Sequence, residues 1–271
     1  MNNNYPPILY KYISWRNEYH QKILLQNEMY FSSIEQFNDP FDSAAPVRFD
    51  LDSDDSNRER LTEIFKRAIR PEFLNRVPQM VDQYLQKGLH KQKSTIFNSN
   101  GLQALKRANN YGVFSLSETR DNLLMWSHYA DSHNGICIGF DISLLDQFKQ
   151  AAMKEQEVLY DIYQVRYVSD FPILVPDQMS VTEREEIAIM PFLYKAEGWH
   201  YEKEYRLICI NGARQVLRYP PELIKQILLG ARFDTHAVDL ITIIRELGYK
   251  PDFYIAELNP DKYQIDFHQV S

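Results

Sequence analysis

The residues best suited to chemistry lie at positions 199–210, W-H-Y-E-K-E-Y-R-L-I-C-I. This stretch is rich in aromatic and β-branched residues and contains neither Gly nor Pro, so it is predicted to be a β-strand. Because successive side chains of a strand point to opposite faces, Glu202, Glu204 and Arg206 are expected on one face, with the two glutamates about 7 Å apart. If that face lines a cleft, the guanidinium keeps one carboxyl ionised while repulsion keeps the other protonated, as a base and an acid.

The other face of the predicted strand has the character of a core. Its apolar members are Trp199, Tyr201, Tyr205, Leu207 and Cys209. An antiparallel strand with one buried and one solvated face shows the same alternation. However, Ile208 and Ile210 continue the charged face and Lys203 interrupts the apolar one. We therefore favour a functional interpretation of the charged face, and the structural interpretation stays open beside it.

The composition sets limits on the class of protein. The chain has 271 residues, 44% of them hydrophobic, which is enough for a substantial core. A net charge of -7 argues against general binding to a nucleic-acid backbone. The two cysteines, Cys137 and Cys209, lie in apolar runs and form no C-x-x-C pair, which is typical of reduced, buried thiols. There is no signal-peptide pattern and no apolar run of membrane-spanning length, so a cytoplasmic protein without a membrane partner is expected.

The spacing of apolar residues predicts many short strands mixed irregularly with helices. Strands are predicted at 8–13, 29–32, 111–117, 136–141, 163–168, 227–230, 253–258 and 263–267. Helices are predicted at 58–70, 80–89, 101–108, 122–132, 143–159, 182–194, 220–227 and 235–247, and a short helix or turn at 15–26. This mixture favours a single α+β domain over residues 1–271, with mixed or antiparallel sheets, rather than a doubly wound fold. Residues 52–110 are predicted to be a helical insertion within it.

The segment N-D-P-F at positions 38–41 is predicted to be a turn. Its N-D-P turn lies between Phe37 and Phe41, which are expected to hold the loop against the core. Asp39 and Asp42 would then lie near its tip. Turn chemistry alone favours a well-packed turn without a further role.

The predicted helix at 122–132 carries a second group of interest. Asp121 is expected to cap it, and Asn134-Gly135 to end it. Trp126, Tyr129, Ala130 and His133 share one face, and Leu124 and His128 lie on an adjoining face. Such an aromatic face is usually core, and a single histidine beside it is usually structural. A binding role for His128 stays open as the alternative.

Three motifs in one order resemble a widespread, uncharacterised bacterial family, a domain of unknown function. They are N-D-P-F, W-S-H-Y-A followed by H-N-G and a strand ending in F-D, and W-H-Y-E-K-E-Y-R. The resemblance covers most of the chain except the helical insertion. It implies a bacterial protein. Because such families often lie among phage-defence genes, it also suggests a toxin or defence effector by association.

A second, more remote resemblance is to ADP-ribosyltransferases of the Arg-Ser-Glu type. These enzymes carry a basic residue on an early strand, then S-x-S, then E-x-E, whose second glutamate is catalytic. The matching positions are Lys11 or Arg16, Ser115 with Ser117, and Glu202 with Glu204. In this chain the usual arginine is replaced by Lys11 or shifted to Arg16, and S-x-S is far from E-x-E.

What this resemblance implies is NAD as cofactor, with Glu204 and Glu202 as the catalytic pair. A carboxylate can stabilise an oxocarbenium-like transition state at the nicotinamide ribose. The cofactor-binding residues would be Lys11, Ser115, Ser117, Tyr129, His128 and Arg206. In this scheme the basic residue holds the pyrophosphate, the serines shape the nicotinamide pocket, and Tyr129 or Trp126 supplies a stacking ring. The partners would be a nucleotide-like small molecule and a protein or nucleic-acid acceptor, with no metal.

Two alternatives use the same residues differently. In the first, Glu202 and Glu204 with Asp39, Asp42 or His128 hold Mg²⁺ or Mn²⁺ for phosphodiester hydrolysis. In the second, the protein is a non-catalytic module that binds a ligand or a partner, and Glu202 and Arg206 belong to a structural ion network. No Walker loop, G-x-G-x-x-G, G-x-S-x-G or H-E-x-x-H motif decides between them.

Overall fold

A computed structural model describes residues 5–43, 51–88, 110–148, 160–179, 189–233 and 237–270. The chain divides into two compact units. The first unit consists of Met1–Asn38, Asn109–Tyr167 and Glu197–Ser271, and the second of Asp39–Ala108 and Val168–Ala196. Helices and a mixed sheet occur together, which confirms the α+β class. The single domain over residues 1–271 stays a prediction.

Twelve strands are present in the described residues. They are β1 (Ile8–Ile13), β2 (Glu28–Tyr30), β3 (Gly112–Ser117), β4 (Ile136–Asp141), β5 (Tyr160–Gln164), β6 (Arg166–Val168), β7 (Tyr194–Ala196), β8 (Glu204–Cys209), β9 (Val216–Arg218), β10 (Ile224–Leu229), β11 (Asp252–Leu258) and β12 (Ile265–Val270). Eight of them form one sheet in the order β12-β11-β10-β4-β1-β3-β8-β5. The pair β10–β11 is parallel, and the other neighbours are antiparallel. Strands β2 and β9 form a separate antiparallel pair.

Five helices of seven to fifteen residues accompany these strands in the described residues. They are α1 (Glu18–Leu25), α2 (Asp54–Ala68), α3 (Val77–Gln86), α4 (Leu123–Tyr129) and α5 (Ala237–Glu246), with residues 142–148 also helical. Asn122, not the predicted Asp121, caps α4, because its side chain accepts hydrogen bonds from the Leu124 and Met125 amides at 2.9 and 3.2 Å. Helix α5 joins β10 to β11, as a parallel pair requires a crossover connection.

The sheet of the first unit has apolar residues on both faces. Along β1, Leu9 and Ile13 belong to one core cluster, whereas Tyr10 and Tyr12 belong to another. This alternation follows from the strand period of two. Residues from β3, β4 and β8 extend the first cluster, and α4 packs on the second through Met125 and Trp126. The side of β1 on which a residue lies therefore decides which core it contacts.

Several predicted elements need correction or lie outside the described residues. Residues 220–227 are not a helix: Pro221–Leu223 forms a 3-10 turn and β10 follows, because the I-K-Q-I-L-L run pairs with β4 and β11. Of the helix predicted at 182–194, residues 182–188 lie outside the described residues, Met190–Leu193 form a 3-10 helix and β7 begins at Tyr194. The predicted helix at 101–108 lies outside the described residues, as do 149–159 of the helix predicted at 143–159.

The second unit contains α2, α3 and the loop that follows N-D-P. Leu61, Val77 and Val81 pack the two helices together. The prediction that Phe41 holds its loop to the core is wrong, because the residue is 56% exposed. Asp42 was expected near the loop tip, but its side chain is buried and its Oδ2 lies 3.5 Å from the Lys195 ammonium. An ion pair, rather than an aromatic ring, occupies the interior there.

Candidate functional site

The predicted strand at 199–210 is correct only in its second half. Residues Glu197–Glu202 form a 3-10 helix, and β8 begins at Glu204. Between them Lys203 has a φ of 42°, a left-handed conformation that interrupts an extended chain. Glu202 therefore does not lie on the strand with Glu204, and the separation expected for two residues of one strand does not apply. From Glu204 onward the predicted alternation is confirmed, since Tyr205 and alternate apolar residues enter the core.

Glu204 and Arg206 form a two-point ion pair on the face of β8 opposite that core. The Arg206 Nε donates to Glu204 Oε1 and its Nη2 donates to Oε2, both at 2.9 Å. The two side chains are only 5% and 1% exposed. The Arg206 guanidinium also lies 5.4 Å from the centre of the Phe37 ring, at cation–π distance. The charge of Glu204 is therefore matched by a fixed planar cation inside the protein.

Glu202 is held by a different kind of donor. The Tyr129 hydroxyl donates to Glu202 Oε1 at 2.6 Å, and the Asn38 side chain hydrogen-bonds to the same hydroxyl. Burial, reinforced by the nearby carboxylate, raises the pKa of Tyr129, so the phenol keeps its proton and remains a donor. This chain of hydrogen bonds joins one residue from each of the three motifs N-D-P-F, W-S-H-Y-A and W-H-Y-E-K-E-Y-R. The motifs are far apart in sequence and meet at one carboxylate.

The two serines of S-x-S lie on β3, next to β8. Ser117 is paired with Glu204, and Ser115 with Arg206. The buried Ser117 hydroxyl donates to the backbone oxygen of Glu202 at 2.6 Å and accepts from the Thr119 amide at 3.2 Å. It therefore fixes the position of the turn that carries Glu202. A role of the serines in shaping a nicotinamide pocket stays a prediction.

Lys11, the predicted basic residue, lies on the face of β1 opposite Tyr10 and Tyr12. It shares that face with Leu9 and Ile13, and its ammonium lies 4.8 Å from the centre of the core ring Phe114. The ammonium donates to the backbone oxygen of Ser115 at 2.9 Å. Burial lowers the pKa of Lys11 to about 8, against the weaker opposite effects of the two glutamates. Lys11 is thus within electrostatic range of the carboxylates but makes its hydrogen bond elsewhere.

Arg16, the other candidate for the basic residue, lies near a different carboxylate. Its side chain is 73% exposed, and its Nε is 3.5 Å from Asp131 Oδ2. The structure therefore brings together Glu202, Glu204, Arg206, Ser117 and Tyr129. Arg16 is paired outside that group.

Aromatic rings surround the Glu202 side of the site. His128 is exposed, and its ring centre lies 6.2 Å from that of Tyr201 and 6.3 Å from that of Tyr129. Trp126, the other proposed stacking ring, is fully buried and donates its indole N–H to the Arg120 backbone oxygen at 2.8 Å. It is therefore part of the core and not available to a ligand. Tyr129 and Tyr201 are the half-buried rings next to Glu202.

Two contributors were missed in the sequence. Asn38 looked like a turn residue, yet its side chain completes the hydrogen bonding of Tyr129. Tyr167 lies on β6, and its hydroxyl accepts a hydrogen bond from the Glu204 amide at 2.8 Å. The N-D-P-F motif was a usable signal for Asn38. No pattern in the sequence pointed to Tyr167, because its role depends on tertiary contact.

The metal alternative receives no geometric support from the described part of the chain. Within the described ranges, no group of three or more His, Cys, Asp and Glu side chains is arranged to hold a metal ion. Asp42 is paired with Lys195 in the second unit. The same ranges contain no helix that is both long and apolar enough to cross a membrane.

The fold and the site together define an α+β protein with two buried carboxylates beside the edge of a mixed sheet. Residues 125–207 match the profile of a protein family described as "Protein of unknown function (DUF2971)". The predicted resemblance to a domain of unknown function is thereby confirmed over a range that contains W-S-H-Y-A and E-K-E-Y-R. Comparison with curated proteins and with solved structures found no match. None of these comparisons supports the ADP-ribosyltransferase resemblance.

Proposed function

We propose that the protein is an enzyme that acts at the glycosidic bond of a nucleotide-like substrate, with NAD as the first candidate. The observation that carries this proposal is the contrast between two neighbouring carboxylates. Glu204 is bound at both oxygens by the Arg206 guanidinium, whereas Glu202 accepts from the neutral Tyr129 hydroxyl. Two carboxyl groups in unlike environments are the usual basis for separate acid, base and charge-stabilising roles.

This environment changes the roles that the resemblance implied. Glu204 was expected to be the acting carboxylate, but its charge is already matched by Arg206. We assign that role to Glu202, which would stabilise positive charge developing at the anomeric carbon as the leaving group departs. Glu204 and Arg206 would then be positioning residues that fix the start of β8. The half-buried rings of Tyr129 and Tyr201 offer faces for the planar base of the substrate.

The products would be nicotinamide and an ADP-ribosyl group, transferred to water or to a protein or nucleic-acid acceptor. A bacterial cytoplasm is the proposed setting, because both cysteines are free and buried, as is usual in a reducing compartment. A function as a toxin or phage-defence effector is proposed from the motif resemblance alone.

The test is release of nicotinamide from NAD by the purified protein, with and without Mn²⁺. We expect Glu202→Gln to lower the rate at least 100-fold, as loss of a charge-stabilising group does. The matched control is Glu257→Gln, which alters an exposed carboxylate paired with His268 and should leave the rate unchanged. RNA and DNA are included as acceptors and as possible substrates. Equal rates for wild type and Glu202→Gln would contradict the assignment, and metal-dependent cutting would favour a nuclease.

A second candidate, a non-catalytic binding module, is favoured by one specific observation. The side chains of Glu202, Glu204 and Arg206 are almost completely buried, at 3%, 4% and 1% exposure of the whole residues. Buried ion pairs also occur as purely structural features. Arg206 pairs with Glu204 at both carboxylate oxygens, and the proposed network of Glu202 and Arg206 stays a prediction. On this hypothesis Glu202→Gln lowers stability, and neither protein releases nicotinamide in any of the reactions.

A further inference from the structure

The eight-stranded sheet of the first unit ends in two edge strands, β5 and β12. An edge strand presents backbone amides and carbonyl oxygens that have no neighbouring strand. Proteins usually protect such an edge with side chains, prolines, lysines or bulges. The two edges of this sheet differ in that protection, and the difference shows where a further strand can be added.

Side chains block the centre of the β5 edge. The Val165 amide donates to the Glu204 oxygen of β8 at 2.9 Å. Because alternate residues of an antiparallel strand face opposite ways, Ile162 turns its backbone groups away from β8. The Ile162 amide donates to Asp161 Oδ1 at 2.8 Å, and its oxygen accepts from the Tyr5 hydroxyl at 2.9 Å. The outward groups at the centre of β5 are therefore already hydrogen-bonded.

The outward groups of β12 can be identified from the turn that precedes this strand. The Asn259 amide donates to the Gln264 oxygen at 3.0 Å, so the backbone of Gln264 faces the β11 side. The pairing of β12 with β11 then continues without a register shift to the end of the strand. By alternation, the amides and oxygens that point away from β11 belong to Ile265, Phe267 and Gln269.

The outer edge of β12 lacks the usual protection. Within the described part of the chain, no hydrogen bond reaches its outward amides and oxygens. The strand is six residues long, pairs without a bulge and contains neither proline nor lysine. Its central ring, Phe267, lies 6.3 Å from the Trp126 ring and 5.4 Å from the Arg120 guanidinium. β12 is therefore a regular template for one more antiparallel strand.

The charges on β12 favour one register for a second copy of the same strand. Two copies related by a two-fold axis pair in antiparallel fashion, and the residue on the axis lies opposite itself. With the axis at Phe267, Asp266 of each copy lies directly opposite His268 of the other. With the axis one residue away, either the two Asp266 or the two His268 side chains face each other. Opposite charges across a strand pair stabilise it and like charges destabilise it.

Asp266 is the carboxylate that a second histidine would complement. It lies directly opposite Glu257 of β11, so two acidic side chains are neighbours on one face of the sheet. The His268 Nε2 lies 2.9 Å from Glu257 Oε2. Asp266 accepts from the neutral side-chain amides of Asn259 and Gln264, each at 2.7 Å. Pairing of two copies would bring the imidazole of the other copy to Asp266.

We propose that the outer edge of β12 binds β12 of a second copy of this chain, with the two-fold axis at Phe267. About six main-chain hydrogen bonds across the axis supply the affinity, and the pairs between Asp266 and His268 fix the register. An interface of one strand pair is small, so the association is weak and reversible. It does not depend on the proposed glycosidic reaction, since Glu204 lies on β8, near the opposite edge of the sheet.

Sedimentation equilibrium of the full chain at several concentrations measures the association. We expect a dimer of twice the 32.1 kDa chain mass, with a Kd no weaker than about 100 µM. Hydrogen exchange at low and high chain concentration locates the contact. The amides of Ile265, Phe267 and Gln269 should exchange about tenfold more slowly in the dimer. A chain that stays monomeric at about 1 mM overturns the proposal and leaves the edge to a strand of another protein.

A proline at position 269 tests the backbone contact. Gln269→Pro removes one outward amide and no hydrogen bond to β11, because the Gln269 N–H points away from β11. We expect its dimer Kd to rise about tenfold. The matched control is Gln269→Ala, which loses the same side chain but keeps the amide, and it should associate like the wild type. Equal association of Gln269→Pro and Gln269→Ala overturns the proposal.

An exchange of charges tests the register. His268→Asp places a carboxylate opposite Asp266 of the other copy and should raise the Kd about tenfold. The double variant Asp266→His with His268→Asp restores opposite charges across the axis and should recover most of the affinity. Circular dichroism spectra that match the wild type show that each variant is folded. If the double variant associates no better than His268→Asp, the register with Phe267 on the axis is wrong.

Discussion

Two buried ion pairs, one in each unit, differ in geometry. In the first unit, Arg206 and Glu204 meet through two hydrogen bonds of 2.9 Å. In the second unit, the Lys195 ammonium lies 3.5 Å from one carboxylate oxygen of Asp42. Both pairs are almost fully buried. The planar guanidinium fixes the orientation of its carboxylate, whereas an ammonium acts as a point charge and imposes much less direction.

The difference shows which pair can serve as a scaffold for chemistry. Glu204 is held in one orientation at the start of β8, two residues after Glu202. That rigidity positions the turn on which Glu202 sits. In the second unit the Lys195 ammonium balances the charge of Asp42, and an ammonium constrains the orientation of a carboxylate less than a guanidinium does. Burial alone does not distinguish the two pairs, whereas the two parallel hydrogen bonds between Arg206 and Glu204 do.

Removing the Arg206 guanidinium should have the largest effect on stability. Arg206→Met should lower the free energy of unfolding by about 4 kcal/mol, because Glu204 is left buried without its cation. Urea denaturation of the purified variant measures the loss. The double variant Glu204→Leu with Arg206→Met should recover much of it, since no unpaired charge remains. A single variant within about 1 kcal/mol of wild type would show that the pair contributes little.

The corresponding change in the second unit should have a smaller effect. Asp42→Asn should lower the free energy of unfolding by about 3 kcal/mol, the lower end for a broken buried pair. The loss of unfolding free energy is smaller because the buried Lys195 can release its proton when Asp42 is neutral, whereas an arginine cannot. The same urea experiment checks it. Asp39→Asn changes a neighbouring carboxylate and is the comparison variant. If Asp42→Asn loses more unfolding free energy than Arg206→Met, the ranking is reversed.

Lys11 differs from the cations of both ion pairs, because its ammonium donates to a backbone oxygen. Its pKa is lowered to about 8, so between pH 8 and the ordinary value near 10.5 the unfolded chain binds more protons than the folded one. Stability of the wild type should therefore rise with pH relative to Lys11→Met. The expected change in the difference is about 2 kcal/mol between pH 7 and 10.

The prediction is contradicted if the unfolding free energies of wild type and Lys11→Met change in parallel over this pH range. Lys22→Met serves as the control at a side chain of α1, and it should show no such pH-dependent difference. Urea midpoints at four pH values give the comparison. Other titrating groups are common to all three proteins and cancel.

The smallest effect is expected at the hydrogen-bond chain. Tyr129→Phe should cost about 1 kcal/mol of unfolding free energy, because Glu202 loses one donor while its surroundings stay in place. Asn38→Ala should cost less, since Asn38 is exposed. In the double variant the losses should be less than additive if the two residues act through the same carboxylate. If the two losses of unfolding free energy add exactly, Asn38 and Tyr129 act independently of each other.

Much of the fold was predictable because strands with a buried face alternate visibly. Tyr205 and Leu207 enter the core as their spacing indicated. The break at Lys203 was not predictable, since a left-handed lysine has no marker of the kind that Gly or Asn provides. The buried Asp42 and the exposed Phe41 also contradicted the pattern, because a buried ion pair depends on a partner from a distant segment.

The site was predictable only in part. Glu204 and Arg206 were placed together because they are two residues apart on one strand. The contact between Tyr129 and Glu202 required the packing of α4 against the turn before β8, which no local period encodes. Lys11 was assigned by order along the chain, but alternation along β1 directs it to the other core. Sequence order is a weak guide to which face of a sheet a residue occupies.

The central position of β1 has a consequence for synthesis of the protein. β1 pairs with β3 and β4, and the first of these begins only at Gly112. A ribosome therefore releases Ile8–Ile13 long before either neighbour exists, and this apolar strand must wait with unpaired amides on both edges. We therefore expect the two central pairings of the sheet to form only after β3 and β4 have left the ribosome.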